Sequence, residues 1–203
     1  MQVDVILGFV AGLVHLGTFV IYSRQVLRGT SRPNTATWTL WAFLSTLNCI
    51  TYIVMSADWV KGLLPIASSL ACIATLMFSL LKGKLSKLNL WDSIALLVGI
   101  ISIFAWWWFR SATYANLVLQ VGIVISFIPT IRGVWKDAST EKVPPWFVWS
   151  FAYILNITVV LIRWQGQYQD LAYPTLCVLL HGGIGVLSLR RTSASREDIK
   201  HAQ

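Results

Sequence analysis

Apolar residues run in seven long stretches, about 3–22, 35–56, 63–81, 90–109, 114–131, 145–162 and 171–189, with polar and charged residues gathered between them. A helix needs about 20 apolar residues to cross the hydrocarbon core. Inside lipid every backbone polar group must be paired within the protein, which leaves helices or closed barrels. The stretches lack the period-2 alternation of a barrel strand. The pattern therefore predicts an all-α membrane protein with seven transmembrane helices.

Two of these stretches repeat each other at a spacing of 108 positions. Trp38, Trp41, Phe43, Leu47 and Asn48 match Trp146, Trp149, Phe151, Leu155 and Asn156. Upstream, Phe19, Arg24, Arg28 and Ser31 match Phe127, Arg132, Lys136 and Ser139 without a gap. The third helices align after a one-residue shift, Leu64-Pro65 against Tyr173-Pro174. The copies cover segments one to three and five to seven. The unmatched fourth segment lets both copies enter the membrane from the same side, as parallel repeats about an axis along the membrane normal. The expected organisation is a first triple-helix repeat (1–89), a linker helix (90–112), a second triple-helix repeat (113–190) and a cytoplasmic tail (191–203), a 3+1+3 plan.

Composition agrees with a membrane protein. The 203 residues are 56% apolar and 12% charged, with mean hydropathy +0.67, against about 25% charge in soluble domains. The first segment has Asp4 rather than a basic flank and no small-residue cleavage site, so it reads as a mature span. The net charge of +8 is not a nucleic-acid footprint, because 13 of the 16 basic residues fall at one end of the segments. They include Arg24, Arg28, Arg32, Lys82, Lys84, Lys87, Arg132, Lys136 and Lys142. Lys61, Arg110 and Arg163 are on the other side. The positive-inside rule then places the N-terminus outside and the C-terminus in the cytoplasm, with anionic headgroups as a secondary partner. Short loops and the absence of sorting segments suggest the inner membrane of a bacterial cell. Trp106, Trp107 and Trp108 read as an interfacial anchor. Gly8-x-x-x-Gly12 permits close helix approach, within a triplet or in a homo-oligomer.

Ser126-Phe127-Ile128-Pro129-Thr130, the basic Arg132 and Lys136, and Phe151 through Thr158 with Asn156 resemble a PQ-loop motif: a Pro-Gln pair late in one helix, a basic loop, and an Asn past an aromatic in the next. Thr130 stands at the Gln position, and the first copy has Ile21-Tyr22 in place of the pair. The 3+1+3 plan resembles the SWEET-like transporters of the same superfamily. The resemblance implies alternating access by two rocking bundles, with Pro129 as a hinge. SWEET transporters carry sugar-contacting Asn on the third helices, where this chain has Ser68, Ser69, Cys72, Cys177 and His181.

Asn48 and Asn156 are the leading ligand candidates, since a polar amide in an apolar span must find a partner. Interhelical glue is the alternative. Trp41 and Trp149 lie two turns before each Asn on the same face, with Ser45 and Tyr153 between them. Each half thus presents a stripe of aromatic, hydroxyl and amide groups, suited to a flat, hydroxylated or amide-bearing solute. Trp41 and Trp149 also suit an aromatic belt. His181 joins the candidate contacts. His15 and His181 are the only ionisable groups deep in the spans, either as structural hydrogen-bonding side chains or as relays. Cys49, Cys72 and Cys177 are scattered and read as buried filler. No metal or cofactor is expected, and without a nucleophile–base pair no enzyme is expected. The absence of carboxylates in mid-span argues against obligate ion coupling. The function expected is facilitative transport of a small polar or neutral solute, sugar- or amino-acid-like. The alternative is a non-transporting receptor or scaffold of the same fold.

Overall fold

The computed structural model describes the backbone of residues 2–28, 35–81 and 87–201, and the side chains of these residues except 35–37, 79, 81 and 191–201. Arg32, Lys82 and Lys84 lie outside the described residues, as do the side chains of Arg191, Arg196 and Lys200. Seven helices follow in order: α1 Val3–Leu27, α2 Thr35–Ser56, α3 Leu63–Leu81, α4 Leu90–Phe109, α5 Ala112–Lys136, α6 Val143–Ile162 and α7 Ala172–His201. Short 3₁₀ turns, Ala138–Thr140 and Tyr168–Leu171, precede α6 and α7. No strand occurs among the described residues.

Six of these helices are long and apolar enough to cross a bilayer, the architecture of a multi-pass membrane protein. The described apolar stretch of α3, Leu63–Phe78, is shorter. Two helices extend past their apolar cores. α5 runs on to Lys136, because Arg132, Gly133 and Lys136 are compatible with helix after the apolar residues end. The backbone of α7 continues as helix through the polar tail to His201.

Local sequence explains most helix ends. Asn89 and Asp92 form a reciprocal capping box at the start of α4. Ser111 caps α5 through the backbone N–H of Tyr114. Pro144 and Pro145 occupy the first turn of α6, where a missing N–H costs nothing. Arg110 closes α4 in the left-handed region (φ 52°), which turns the chain directly into α5.

The helices pack in a matched pattern. α3 lies against both α1 and α2, and α7 lies against both α5 and α6. Across the molecule α1 packs on α6 and α2 on α5, while α4 rests chiefly on α5. Gly8 and Gly12 make the α1–α3 seam close. A Cβ on Gly8 would stand 2.8 Å from Leu63 Cδ1, and one on Gly12 would stand 3.5 Å from Ala67 Cβ. This pair of glycines therefore serves packing between α1 and α3. Leu97, Ile101, Phe104, Trp107 and Trp108 of α4 face outward, which in a bilayer is contact with lipid or headgroups.

A cavity lined by repeat-equivalent residues

A cavity lies between the two helix groups. It leaves about 60 Å³ for the centres of water molecules, room for about four or five waters. α1, α2 and α3 contribute His15, Phe19, Trp38, Trp41, Ser45, Ser68 and Cys72. α5, α6 and α7 contribute Ile123, Phe127, Trp149, Tyr153, Tyr173, Cys177 and His181.

These two sets correspond through the sequence repeat. At the spacing of 108, His15 pairs with Ile123, Phe19 with Phe127, Trp41 with Trp149, and Ser45 with Tyr153. At 109, after the one-residue shift, Ser68 pairs with Cys177 and Cys72 with His181. Only Trp38 and Tyr173 line the cavity without their counterparts.

Ring contacts repeat in the same way. Phe19 meets Trp149 edge-on at 5.0 Å, and its counterpart Phe127 meets Trp41 at 5.2 Å. Trp38 meets Trp41 at 5.0 Å, and Trp146 meets Trp149 at 5.3 Å, both T-shaped. Each aromatic wall thus joins an indole from one half to a phenyl from the other, at centroid distances favourable for aromatic pairs.

The polar groups of the cavity are uncharged side chains or imidazoles. His15 is 2% exposed, and neither of its ring nitrogens has a hydrogen-bond partner among the described residues. The buried indole N–H of Trp149 likewise has none. The Trp41 indole N–H instead donates to Ser126 Oγ at 3.0 Å. His181 Nδ1 is 2.8 Å from the Cys177 carbonyl, and the Tyr153 and Tyr173 hydroxyls share a hydrogen bond of 2.9 Å. Among the described residues no group of three His, Cys, Asp or Glu side chains is placed to hold a metal.

Charged groups sit beyond the cavity at its two ends. At one end Lys61 Nζ meets Asp170 Oδ2 at 2.7 Å, with both side chains essentially inaccessible. The Tyr52 hydroxyl donates to the Asp170 carbonyl at 2.7 Å. Arg163 pairs with Asp4 and, through Nε at 2.6 Å, with Asp58. The Asp58 and Asp4 carboxylates raise the pKa of this guanidinium above its ordinary value. At the other end the Tyr22 hydroxyl donates to Glu141 Oε1 at 3.0 Å. Both sets of contacts join an element of α1–α3 to one of α5–α7.

No protein-family model matches the chain, and neither a curated protein nor a solved structure does. The reading of the site accordingly stands on this geometry.

Of the residues singled out from sequence, the cavity brings together Trp41, Trp149, Ser45, Tyr153 and His181. Asn48 and Asn156 do not line it. Asn48 Oδ1 accepts from Asn116 Nδ2 at 3.1 Å and from Gln120 Nε2 at 3.0 Å, joining α2 to α5. Asn156 Nδ2 donates to the Lys61 carbonyl at 3.1 Å, joining α6 to the turn before α3. Periodicity placed the asparagines on the tryptophan face, but two turns further along that face the facing helix is already in contact. Pro129 stands inside a continuous α5 and leaves the Ile125 carbonyl without its usual donor.

Nine of the fourteen lining residues carry no ligand role in the sequence pattern, among them His15, Phe19, Cys72 and Cys177. Projection of the repeat onto all three helices of each half would have found them. The ion pairs were also missed as pairs. Their one signal was the near balance of Asp4, Asp58 and Asp170 against Lys61 and Arg163 at the same helix ends.

Proposed function

We propose that the chain is a facilitative transporter of a small neutral or polar solute, working by alternating access between two parallel triple-helix units, α1–α3 and α5–α7, joined by α4. The observation that carries this reading is the cavity between those units, six pairs of whose lining residues occupy equivalent repeat positions. A site on a pseudo-two-fold axis between repeats is where such folds bind the solute they carry. The 3+1+3 arrangement is further supported by the matched packing of α3 between α1 and α2 and of α7 between α5 and α6.

Closure is supplied by contacts that bridge the units at each end. Lys61–Asp170 and Arg163 with Asp4 and Asp58 bridge them at one end, and Tyr22–Glu141 bridges them at the other. Opening one end requires breaking its set while the other holds. The basic residues at the helix ends orient the chain with its N-terminus outside a bacterial inner membrane and the Lys61 end facing out. The resemblance to PQ-loop and SWEET-like transporters agrees with this plan, with Pro129 as the flexible point of α5.

The test is counterflow in proteoliposomes with labelled hexoses, neutral amino acids, nucleosides and nucleobases, comparing the parent with Trp41→Ala and Trp149→Ala. Saturable exchange lost in both variants, with melting temperature held, is the expected result. A folded protein that binds a solute saturably yet exchanges none would replace the carrier by a receptor of the same fold.

A further inference from the structure

Resting on the transporter reading, the geometry points to a narrower class of solute: we propose that the cavity binds a flat, uncharged, single-ring heteroaromatic or aromatic amide. The ring would lie between the Trp41–Phe127 and Phe19–Trp149 walls, with its polar edge toward His15.

Size, charge and polar inventory support this. The room for about four or five waters matches one ring with a small substituent rather than a disaccharide or fused polycycle. No charged side chain lines the cavity. An amino-acid zwitterion would place an ammonium and a carboxylate there without counter-ions, at heavy desolvation cost. A hexose brings five hydroxyls, each needing a partner when it leaves water. Among the described side chains that line the cavity, three buried polar atoms have no partner: the two ring nitrogens of His15 and the indole N–H of Trp149. In either tautomer of neutral His15 they offer two donors and one acceptor, and so satisfy two acceptor sites and one donor of a ligand, which matches the edge of a lactam or carboxamide.

The symmetry of the walls agrees with the same assignment. The residues shared by both halves are the aromatic ones, Trp41 with Trp149 and Phe19 with Phe127. A planar ring offers the two halves equivalent faces, and stacking against such faces is favourable. The polar edge is asymmetric, since Ile123 occupies the position equivalent to His15. One edge of the ligand is therefore distinguished from the other.

The test uses the full chain in lipid nanodiscs, titrated with uracil and benzamide against glucose and alanine by calorimetry, with counterflow of the same compounds in proteoliposomes. Saturable binding of uracil or benzamide, with neither glucose nor alanine binding, is the expected result. His15→Phe, which keeps an aromatic ring and removes the nitrogens, and Trp149→Phe, which removes the N–H, should each weaken binding about five- to tenfold. Where His15→Phe fails to fold, Trp149→Phe carries the comparison. Aromatic amides that bind but show no counterflow support this solute class and overturn the carrier reading. Glucose or alanine binding in preference to the amides overturns the class and leaves the carrier standing. Absence of binding by every compound to the folded protein, or binding unchanged in the variants, overturns the proposal.

Discussion

Asn48 lies outside the cavity lining, with its side-chain oxygen bonded to α5. Its carbonyl oxygen is shared by two amide donors from α5, Asn116 and Gln120, and Asn116 also donates to Thr51 Oγ1 at 2.8 Å. Replacing Asn48 by Leu would remove the acceptor that Asn116 and Gln120 share between α2 and α5, leaving Asn116 to Thr51 and Gln120 to the carbonyl oxygens of Asn116. Interhelical polar contacts in membranes are worth about 0.6 kcal/mol on average. A cluster of this kind should cost about 1 to 2 kcal/mol when broken. We expect Asn48→Leu to lower the melting temperature in detergent while leaving the affinity for the bound solute within about twofold. A large loss of affinity at unchanged stability would return Asn48 to the site. Trp41 behaves differently, because its indole both walls the cavity and donates across to Ser126. Its truncation should remove binding.

At the scale of the element, α1 depends on small residues where it meets α3 and tolerates larger ones elsewhere. Gly8→Ile places carbon against Leu63 Cδ1 and the Val60 carbonyl, the latter 3.3 Å from the first added atom. The expected cost is about 1–3 kcal/mol of overpacking, read as a lower unfolding midpoint. Gly17 has nothing within 4 Å of its added Cβ. Gly17→Ala should therefore hold or raise the midpoint, by up to about 1 kcal/mol of helix propensity. α5 poses a question of motion rather than of packing. Pro129→Ala restores the hydrogen bond to the Ile125 carbonyl and stiffens the helix. Slower counterflow with unchanged binding affinity is the outcome expected of a hinge, and an unchanged exchange rate would make Pro129 merely structural.

For the whole molecule the informative contact is Lys61–Asp170. At the third-helix spacing of 109, these two residues are themselves repeat equivalents carrying opposite charge. The pair links equivalent positions of the two copies, and together with the Arg163 contacts to Asp4 and Asp58 it joins α1–α3 to α5–α7 at that end. Removing one partner of a buried pair leaves an uncompensated charge, at a cost of about 3–5 kcal/mol. Lys61→Met should destabilise that closed end and speed modification of Cys72 and Cys177, which line the cavity, by a polar thiol reagent. The comparison is made in a Cys49→Ala background. The double change Lys61→Met with Asp170→Leu should recover stability, since an apolar replacement removes the desolvation penalty. Labelling rates unchanged in Lys61→Met would mean that the ion pair does not control access.

The sequence by itself determined the helices, because an apolar run of bilayer length has few other ways to satisfy its backbone. It also carries a repeat register, because duplication leaves a spacing that can be counted. Much of the cavity followed from that register, as with Trp41, Trp149, Ser45, Tyr153 and His181. Only the tertiary structure decided which residues of a common helical face reach open space and which reach another helix. Trp41 and Asn48 share a face of α2, yet Trp41 walls the cavity and the Asn48 side-chain oxygen is bonded to α5. Periodicity reports the direction in which a side chain leaves its helix, not what stands opposite at that depth. The ion pairs were out of reach for a related reason: Asp4 and Arg163 are 159 positions apart, and Lys61 and Asp170 are 109. Their meeting depends on how α1 crosses α6 and how the two halves close, which are properties of packing and not of any local pattern.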